Sequence, residues 1–281
     1  MKYFDAHTHV HFAAFDEDRE AVFARAKEAE VGMLLVGTQK DTSAAAVMAA
    51  ETHEGVWAAV GLHPIHTSKS FHDVKELGEG GHPPAGGFTS RGESFDISNY
   101  EQLAHQPKVV AIGECGLDYY RLDEGTKELQ REAFIAQIEL ANHVGKPLML
   151  HIRNAYEDAL EILKAHAKVN GNVHFFAGTW DIARQFLELG FTLSFTGVIT
   201  CTRDYDDVVR NTPLDMLLSE TDAPYVAPVP FRGKRNEPIH VREVVAQIAR
   251  IRGEDEQKVQ ETLLKNAKRV FVPLEAAAPH Q

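Results

Sequence analysis

The sequence predicts an α/β protein folded as a single-domain (β/α)8 TIM barrel, with a metal site at the C-terminal rim of its strands. Two observations support this prediction. Short apolar runs alternate with amphipathic helical stretches along most of the 281 residues, which is the pattern of repeated βα units. Residues that can bind metal ions recur at the ends of those runs, where barrel enzymes place their functional groups.

The apolar runs have the length of strands, and most of them are followed by a helical pattern. The predicted strands cover residues 2–6, 33–37, 56–61, 108–113, 147–151, 172–176, 191–196 and 214–219. The predicted helices cover residues 17–30, 41–52, 128–144, 154–168, 180–189, 239–252 and 255–269. Alternation on this scale favours a closed barrel, and an open doubly wound sheet is the alternative.

The segment 128–144 shows the helical period most clearly. Its apolar side chains are weighted to one side of a helix: Leu129, Ala133, Ile135, Ala136, Ile138 and Leu140. Gly145 follows and is in turn followed by Lys-Pro-Leu-Met-Leu. This order is typical of a helix stop before a buried strand.

Residues 68–98 interrupt the alternation. They contain six glycines and the pair Pro83-Pro84, and a loop of this length inside a compact domain is usually functional or disordered. We expect either a lid over the barrel mouth, carrying His72 and His82, or a mobile insertion without a role. The barrel is expected to cover residues 1–272, and residues 273–281 to form a C-terminal tail.

Composition limits the kinds of partner. A formal net charge of −12 argues against a broad surface that coats nucleic acid, because such binding requires Lys and Arg to neutralise phosphates. A local phosphate site that uses bound cations stays compatible with this charge. The two cysteines, Cys115 and Cys201, lie in no CxxC motif, which fits a reducing compartment. Without an apolar leader or an apolar run long enough for a bilayer, the sequence predicts a cytoplasmic protein that does not associate with membranes.

The N-terminal segment Phe-Asp-Ala-His-Thr-His-Val-His-Phe places histidines at three alternating positions: His7, His9 and His11. Alternating side chains on an extended strand point to the same face. An HxH pair alone is more often a surface or core pair than a metal site, so this spacing needs further support.

That support comes from residues elsewhere in the chain. Six metal-capable residues fall at or just after predicted strand ends: His7, His9, Glu114, His151, His174 and Asp222. Each alone could cap a helix or contact a loop, but their convergence on one barrel rim predicts a metal site. The four histidines suit zinc-like ions, and the carboxylates also admit manganese or magnesium. A carboxylate such as Glu114 can bridge two ions roughly 3.5–4 Å apart, and Asp222 could serve as a general base.

Six segments of the chain are distinctive: FDAHTHVHF, AVGLHPIH, VVAIGECGLDYYR, KPLMLHIR, VHFFAG and LLSETDAPYVAPVPFRGKRNEP. In this order they resemble the landmarks of the TatD-like metal-dependent hydrolases. These are barrel enzymes of the amidohydrolase superfamily, often described as TatD deoxyribonucleases. The resemblance extends over essentially the whole chain.

The resemblance implies two divalent metal ions, which could be Zn, Mn or Mg. The residues it assigns to the first ion are His7, His9, Glu114 and Asp222. Those it assigns to the second are Glu114, as a bridge, with His151 and His174. Of the three alternating histidines near the first strand, the resemblance therefore assigns only His7 and His9 to the metal site.

The resemblance also implies substrate contacts. His63 and Arg153 match positions expected to face the substrate phosphate, and Arg232 is a further candidate. His11 matches no metal position, so a role in lining the pocket stays open. Arg232 belongs to a small basic cluster with Lys234 and Arg235, which we interpret as a phosphate clamp rather than a solvated face.

The function expected from these residues is a two-metal hydrolase that cleaves phosphodiester bonds. We expect a 3′-5′ exodeoxyribonuclease acting on short single-stranded DNA, with Asp222 and Glu114 as catalytic residues and no obligate protein partner. The alternative is a metal-dependent ester or amide hydrolase, such as a D-aminoacyl-tRNA deacylase, because a fold does not fix a substrate. A non-catalytic binding module would need a lost ligand, and all six ligands are present.

Overall fold

Ten strands appear in the computed structural model, which describes residues 1–69, 71–72, 88–120 and 125–272. They are β1 (Tyr3–Thr8), β2 (Val31–Val36), β3 (Val56–Val60), β4 (Phe71–His72), β5 (Phe88–Thr89), β6 (Val109–Asp118), β7 (Leu148–Arg153), β8 (Gly171–Val173), β9 (Thr192–Phe195) and β10 (Leu217–Ser219). Strands β4 and β5 pair antiparallel as a separate ribbon. The other eight form one parallel sheet in the order β1-β2-β3-β6-β7-β8-β9-β10. This is the (β/α)8 barrel that the sequence predicts.

The described helices are α1 (Arg19–Glu28), α2 (Lys40–Thr52), α3 (Ile97–Ala104), α4 (Thr126–Val144), α5 (Tyr156–His166), α6 (Trp180–Glu188), α7 (Asp206–Asn211), α8 (Val241–Arg252) and α9 (Glu256–Phe271). Seven of them coincide with predicted helices. The sequence-based prediction missed α3 and α7, because each is short and buries only two residues, which leaves little periodicity to detect. Within the described ranges, no helix is both long and apolar enough to cross a bilayer.

Hydrogen bonds near the rim close the seam between β1 and β10. The Asp222 N–H donates to the His7 carbonyl at 2.9 Å, and the His9 N–H donates to the Ala223 carbonyl at 2.7 Å. Below them, the buried Asp5 carboxylate accepts hydrogen bonds from the backbone and hydroxyl of Thr221. The seam therefore joins the first and last strands of the sheet, β1 and β10, at the level of His7, His9 and Asp222.

The pairing register shifts twice at positions that carry metal-capable residues. One shift lies between Asp5 and Thr8 of β1, and another lies between Ile112 and Cys115 of β6. Such irregularities re-aim side chains and are common next to active sites. Strand β6 also continues to Asp118, five residues beyond the predicted end at residue 113, so Glu114 lies within a strand rather than after one.

The two segments set apart by the sequence fall largely outside the described residues. Residues 70 and 73–87 of the glycine-rich stretch, which include His82, and the tail at 273–281 are not described, nor is the side chain of His72. The described end of the stretch packs against the loop after β3. The Glu93 N–H donates to the His66 carbonyl at 2.7 Å, and His66 Nδ1 lies 3.0 Å from Ser90 Oγ.

Candidate metal centre

The residues predicted from the sequence meet in one cavity at the C-terminal rim. This cavity has a volume of about 550 Å³ and is lined by eight of the nine predicted site residues: His9, His63, Glu114, His151, Arg153, His174, Asp222 and Arg232. The ninth, His7, is completely buried, and its Nε2 atom lies 3.4 Å from Glu114 and 3.8 Å from Asp222. The structure thus brings together strand ends that are up to about two hundred residues apart in sequence.

One group of ligand atoms forms around the two histidines of β1. His7 Nε2 lies 3.4 Å from Glu114 Oε2, His9 Nε2 lies 3.4 Å from Asp222 Oδ1, and the two Nε2 atoms are 3.1 Å apart. Ligands about 2.1 Å from a tetrahedral ion are roughly 3.4 Å from one another. The spacing and the mixture of imidazole and carboxylate donors therefore fit a divalent metal ion.

Glu114 offers its other oxygen to a second group. Glu114 Oε1 lies 3.0 Å from His151 Nδ1, 3.4 Å from His63 Nε2 and 3.9 Å from His174 Nε2. The two carboxylate oxygens therefore face different sets of imidazoles. This is the arrangement expected of a carboxylate that bridges two ions.

Polar contacts on the far side of the imidazoles favour one nitrogen of each ring as the carrier of the lone pair. His9 Nδ1 donates to the Val36 carbonyl at 2.7 Å, which leaves Nε2 free to bind a metal. His174 Nδ1 lies 2.9 Å from Glu220 Oε1, and this carboxylate favours a proton on Nδ1. Both contacts leave the ring nitrogen that faces the cavity as the acceptor, as is usual for metal-binding histidines.

His63 shows the opposite arrangement. Its Nδ1 accepts a hydrogen bond from the Ile65 N–H at 3.2 Å, so the proton of the neutral ring must be on Nε2. Burial and the nearby charge of His151 lower the pKa of His63 to about 4, so the ring is neutral at pH 7. His63 Nε2 is therefore a donor toward Glu114 or toward a bound anion, which fits the predicted phosphate contact better than a metal ligand.

Carboxylates dominate the charge state of His151 and His174, whereas burial lowers the pKa of His7. Burial alone would lower the pKa of His151, but hydrogen bonds with Asp118 and Glu114 outweigh it and raise the pKa to about 9. Burial is likewise outweighed at His174, where the negative charge of Glu220 raises the pKa to about 9. The site thus attracts positive charge, which a proton or a metal ion can supply.

Two buried acids that contact the proposed ligands were not assigned a role by sequence reasoning. Asp118 Oδ2 lies 2.9 Å from His151 Nε2, and the hydrogen bond to His151 lowers the pKa of Asp118 to about 2 despite its burial. Glu220 is completely buried and also accepts hydrogen bonds from the Phe175 N–H and the Ser194 hydroxyl. The clue in the sequence was their position, since Asp118 lies in Gly-Leu-Asp-Tyr and Glu220 in Ser-Glu-Thr-Asp.

Backbone contacts hold the loop after β3 against Glu114. A Cβ atom at Gly61 would lie 2.6 Å from the carbonyl carbon of Gly113, so the two strands approach as closely as they do only with glycine there. On the other side, Gln137 of α4 clamps Leu62, accepting from its N–H at 2.8 Å and donating to its carbonyl at 3.0 Å.

A second glutamine of α4 repeats this clamp. Gln130 accepts from the Asp118 N–H at 2.8 Å and donates to the Asp118 carbonyl at 2.9 Å. Gln130 and Gln137 are seven residues apart, which places them on the same face of the helix. This face of α4 therefore fixes the backbone next to His63 and at Asp118.

The remaining candidates differ in where they lie. The rings of His11 and His9 are 6.1 Å apart, and His11 belongs to none of the ligand groups formed by the described residues. Arg153 lines the cavity with its guanidinium 3.7 Å from the centre of the Tyr120 ring. The basic cluster is divided, because Arg232 lines the cavity whereas Arg235 is paired with Asp18 at 2.7 Å.

Comparison with known proteins gives a consistent set of relatives. The family model described as TatD related DNase matches residues 4–272. The chain is 36% identical over 273 residues to the uncharacterized metal-dependent hydrolase YabD of Bacillus subtilis, covering 95% of this chain and 98% of that protein. It is 34% identical over 279 residues to the 3′-5′ ssDNA/RNA exonuclease TatD of Cronobacter sakazakii, covering 96% and 97% of the two chains. The crystal structure of YJJV, a TatD homologue from Escherichia coli, superposes with a TM-score of 0.80 at 30% identity and covers 96% of this chain and 98% of its own.

Proposed function

The chain belongs to the TatD-related DNase family, and from this premise we propose that it is a two-metal phosphodiesterase that removes nucleotides from the 3′ end of single-stranded DNA. The main support is Glu114, whose two oxygens face two separate groups of imidazoles. The relative named as a 3′-5′ ssDNA/RNA exonuclease supports the choice of bond and direction.

The residues that would hold the ions follow from the two groups. His7, His9 and Asp222 would share the first ion with Glu114, and His151 and His174 would share the second with it. Zn, Mn and Mg are all compatible with this mixture of donors. Bound there, such ions would polarise a phosphoryl oxygen and lower the pKa of a water molecule.

The protein's own groups would then position the phosphate and handle the proton. Asp222 is the proposed general base, because contacts with His9 and nearby imidazoles outweigh burial and lower its pKa, so it is ionised at pH 7. His63 would donate its Nε2 proton to a non-bridging oxygen. Arg153 would pair with the phosphate from the same side, and the exposed Arg232 would pair with it or with the next phosphate from the opposite side.

A cleavage assay with two labels tests this proposal. A 5′-labelled single-stranded oligonucleotide should give a ladder that shortens one nucleotide at a time, whereas a 3′-labelled one should release labelled mononucleotide at once. Both reactions should require added Mg²⁺ or Mn²⁺ and stop with a chelator. Asp222→Asn should abolish both reactions. The control variant Asp215→Asn, on the exposed turn before β10, should leave them intact.

The outcomes separate the proposal from its alternatives. Shortening from the 5′ end would overturn the direction, and faster degradation of the matching RNA would overturn the preference for DNA. A metal-loaded protein that leaves both nucleic acids intact would overturn the phosphodiesterase assignment. Activity on aminoacyl-tRNA or simple esters would then identify the acyl hydrolase.

A further inference from the structure

The cavity around the ligand groups has a mainly polar side and a mainly apolar side, with Ile65 and Ile152 as apolar exceptions on the first and Arg232 as the charged exception on the second. Strands β2, β3, β6 and β7 are consecutive in the sheet, and their ends contribute what we call the polar arc: Thr38, His63, His66, Asp118, Arg153 and Asn154. Strands β8, β9 and β10, and β1 across the seam, contribute what we call the apolar arc: Phe12, Phe175, Val198, Tyr205, Tyr225 and Val226. The proposed ligands come from strands on both sides, since Glu114 and His151 belong to β6 and β7 whereas His9 and Asp222 follow β1 and β10.

The apolar arc is not simply part of the barrel core. Five of its six side chains are partly exposed toward the cavity, and Val226 is the exception. The arc also adjoins the first ligand group directly. The Phe12 ring stacks on His9 with centroids 4.4 Å apart, and the Tyr225 ring meets the same imidazole edge-on at 6.4 Å.

Backbone strain supports a functional origin of this surface. Phe175 has φ +44° and Val226 has φ +53°, a region that costs free energy for any side chain and most for a β-branched one. Gly197 allows the Val226 backbone to approach, because a Cβ atom there would lie 2.4 Å from the Val226 carbonyl oxygen. Residues held in such conformations cluster at binding and catalytic sites.

We propose that the apolar arc is the subsite for the base of the terminal nucleotide, and that His63 and Arg153 of the polar arc hold the phosphate attached to it. This inference rests on the proposed function, since it places a nucleotide across the ligand groups. Aromatic rings from different loops provide flat faces on which any base can stack, and stacking is tolerant of sequence because every base has a π-face. The side chains named here would therefore favour a base without selecting which one.

Tyr205 offers the cleanest test of the apolar arc. It lies at the start of α7, far in sequence from every proposed ligand, and lines the cavity. Tyr205→Phe keeps the ring, whereas Tyr205→Leu keeps apolar bulk and loses the flat face. Because the comparison is between two substitutions of similar size, a general effect on folding does not imitate the expected result.

The experiment compares two ligands that differ only by a base. Thymidine 5′-monophosphate and 2-deoxyribose 5-phosphate are titrated into the Mn²⁺-loaded protein in a calorimeter. We expect the wild type and Tyr205→Phe to bind the nucleotide about 5- to 100-fold more tightly than the sugar phosphate. Tyr205→Leu should lose at least about 3-fold of that preference while binding the sugar phosphate unchanged.

Equal affinity of the wild type for the two ligands would overturn the inference, as would an equal loss for both ligands in Tyr205→Leu. These results are independent of DNA cleavage. A protein that prefers the nucleotide but leaves DNA intact would refute the exonuclease and keep the base subsite. A protein that cleaves DNA without that preference would keep the exonuclease and refute the subsite.

Discussion

Replacement of Glu220 by Gln should weaken metal binding without unfolding the barrel. The buried carboxylate has three contacts: His174 Nδ1 at 2.9 Å, the Phe175 N–H at 2.7 Å and the Ser194 hydroxyl at 2.6 Å. In Glu220→Gln the amide oxygen can keep the first two. The new NH2 group can donate to Ser194 Oγ, whose own proton can turn to the Val173 carbonyl at 3.3 Å. The groups that now contact Glu220 then each keep a partner.

The difference between Glu and Gln at this position is therefore mainly one negative charge behind His174. Groups that orient a metal-binding histidine typically contribute 10- to 100-fold to metal affinity, which corresponds to about 1.4–2.7 kcal/mol. We expect a loss of this size in Zn²⁺ affinity, measured by competition with a chromophoric chelator. The free energy of unfolding of the metal-free protein should fall less than in Glu220→Ala, because both variants lose the charge beside His174 but only Glu220→Ala leaves the Phe175 N–H without its acceptor.

A folded Glu220→Gln variant with unchanged affinity for both ions would refute this reasoning. The carboxylate would then act only as a hydrogen-bond acceptor for the backbone. An equally large loss of affinity in Glu220→Gln and Glu220→Ala, with the larger loss of stability in Glu220→Ala, would instead confirm that the charge is what matters for the metal ion.

Three further results are expected. Arg153→Ala should lower kcat/KM for DNA about 10- to 100-fold, the contribution of hydrogen bonds to a charged group, with unchanged metal content; an unchanged kcat/KM would remove Arg153 from the phosphate site. Gln137→Leu should lower the free energy of unfolding in urea by about 2–4 kcal/mol, because the buried N–H and carbonyl of Leu62 lose their partners; a loss within experimental error would contradict the clamp. In the presence of chelator, protonated His151 and His174 should stabilise the folded protein fully below about pH 6.5. This stabilisation, up to about 3 kcal/mol for each residue, should be lost as the pH rises through their pKa values of about 9. The melting temperature of the metal-free protein should therefore fall over that range, and a rise would contradict the assigned pairing.

The sequence alone determined the barrel and the convergence of most of the residues proposed as metal ligands. Parallel strands of a barrel end at one rim, so residues at strand ends, such as His9, His174 and Asp222, had to converge once the βα alternation was recognised. The same logic needs no knowledge of side-chain geometry. It depends on two periodicities, that of a strand and that of a helix, which are local properties of the chain.

Only the tertiary structure decided how each group is used. His63 and His9 are both histidines at strand ends, yet one accepts from the Ile65 N–H and the other donates to the Val36 carbonyl, so their cavity-facing nitrogens have opposite roles. The carboxylate of Glu220 acquires its role from His174, a residue 46 positions earlier in the chain. Such roles depend on contacts within about 3 Å between residues far apart in sequence, and no local pattern specifies the distance or the direction of a hydrogen bond.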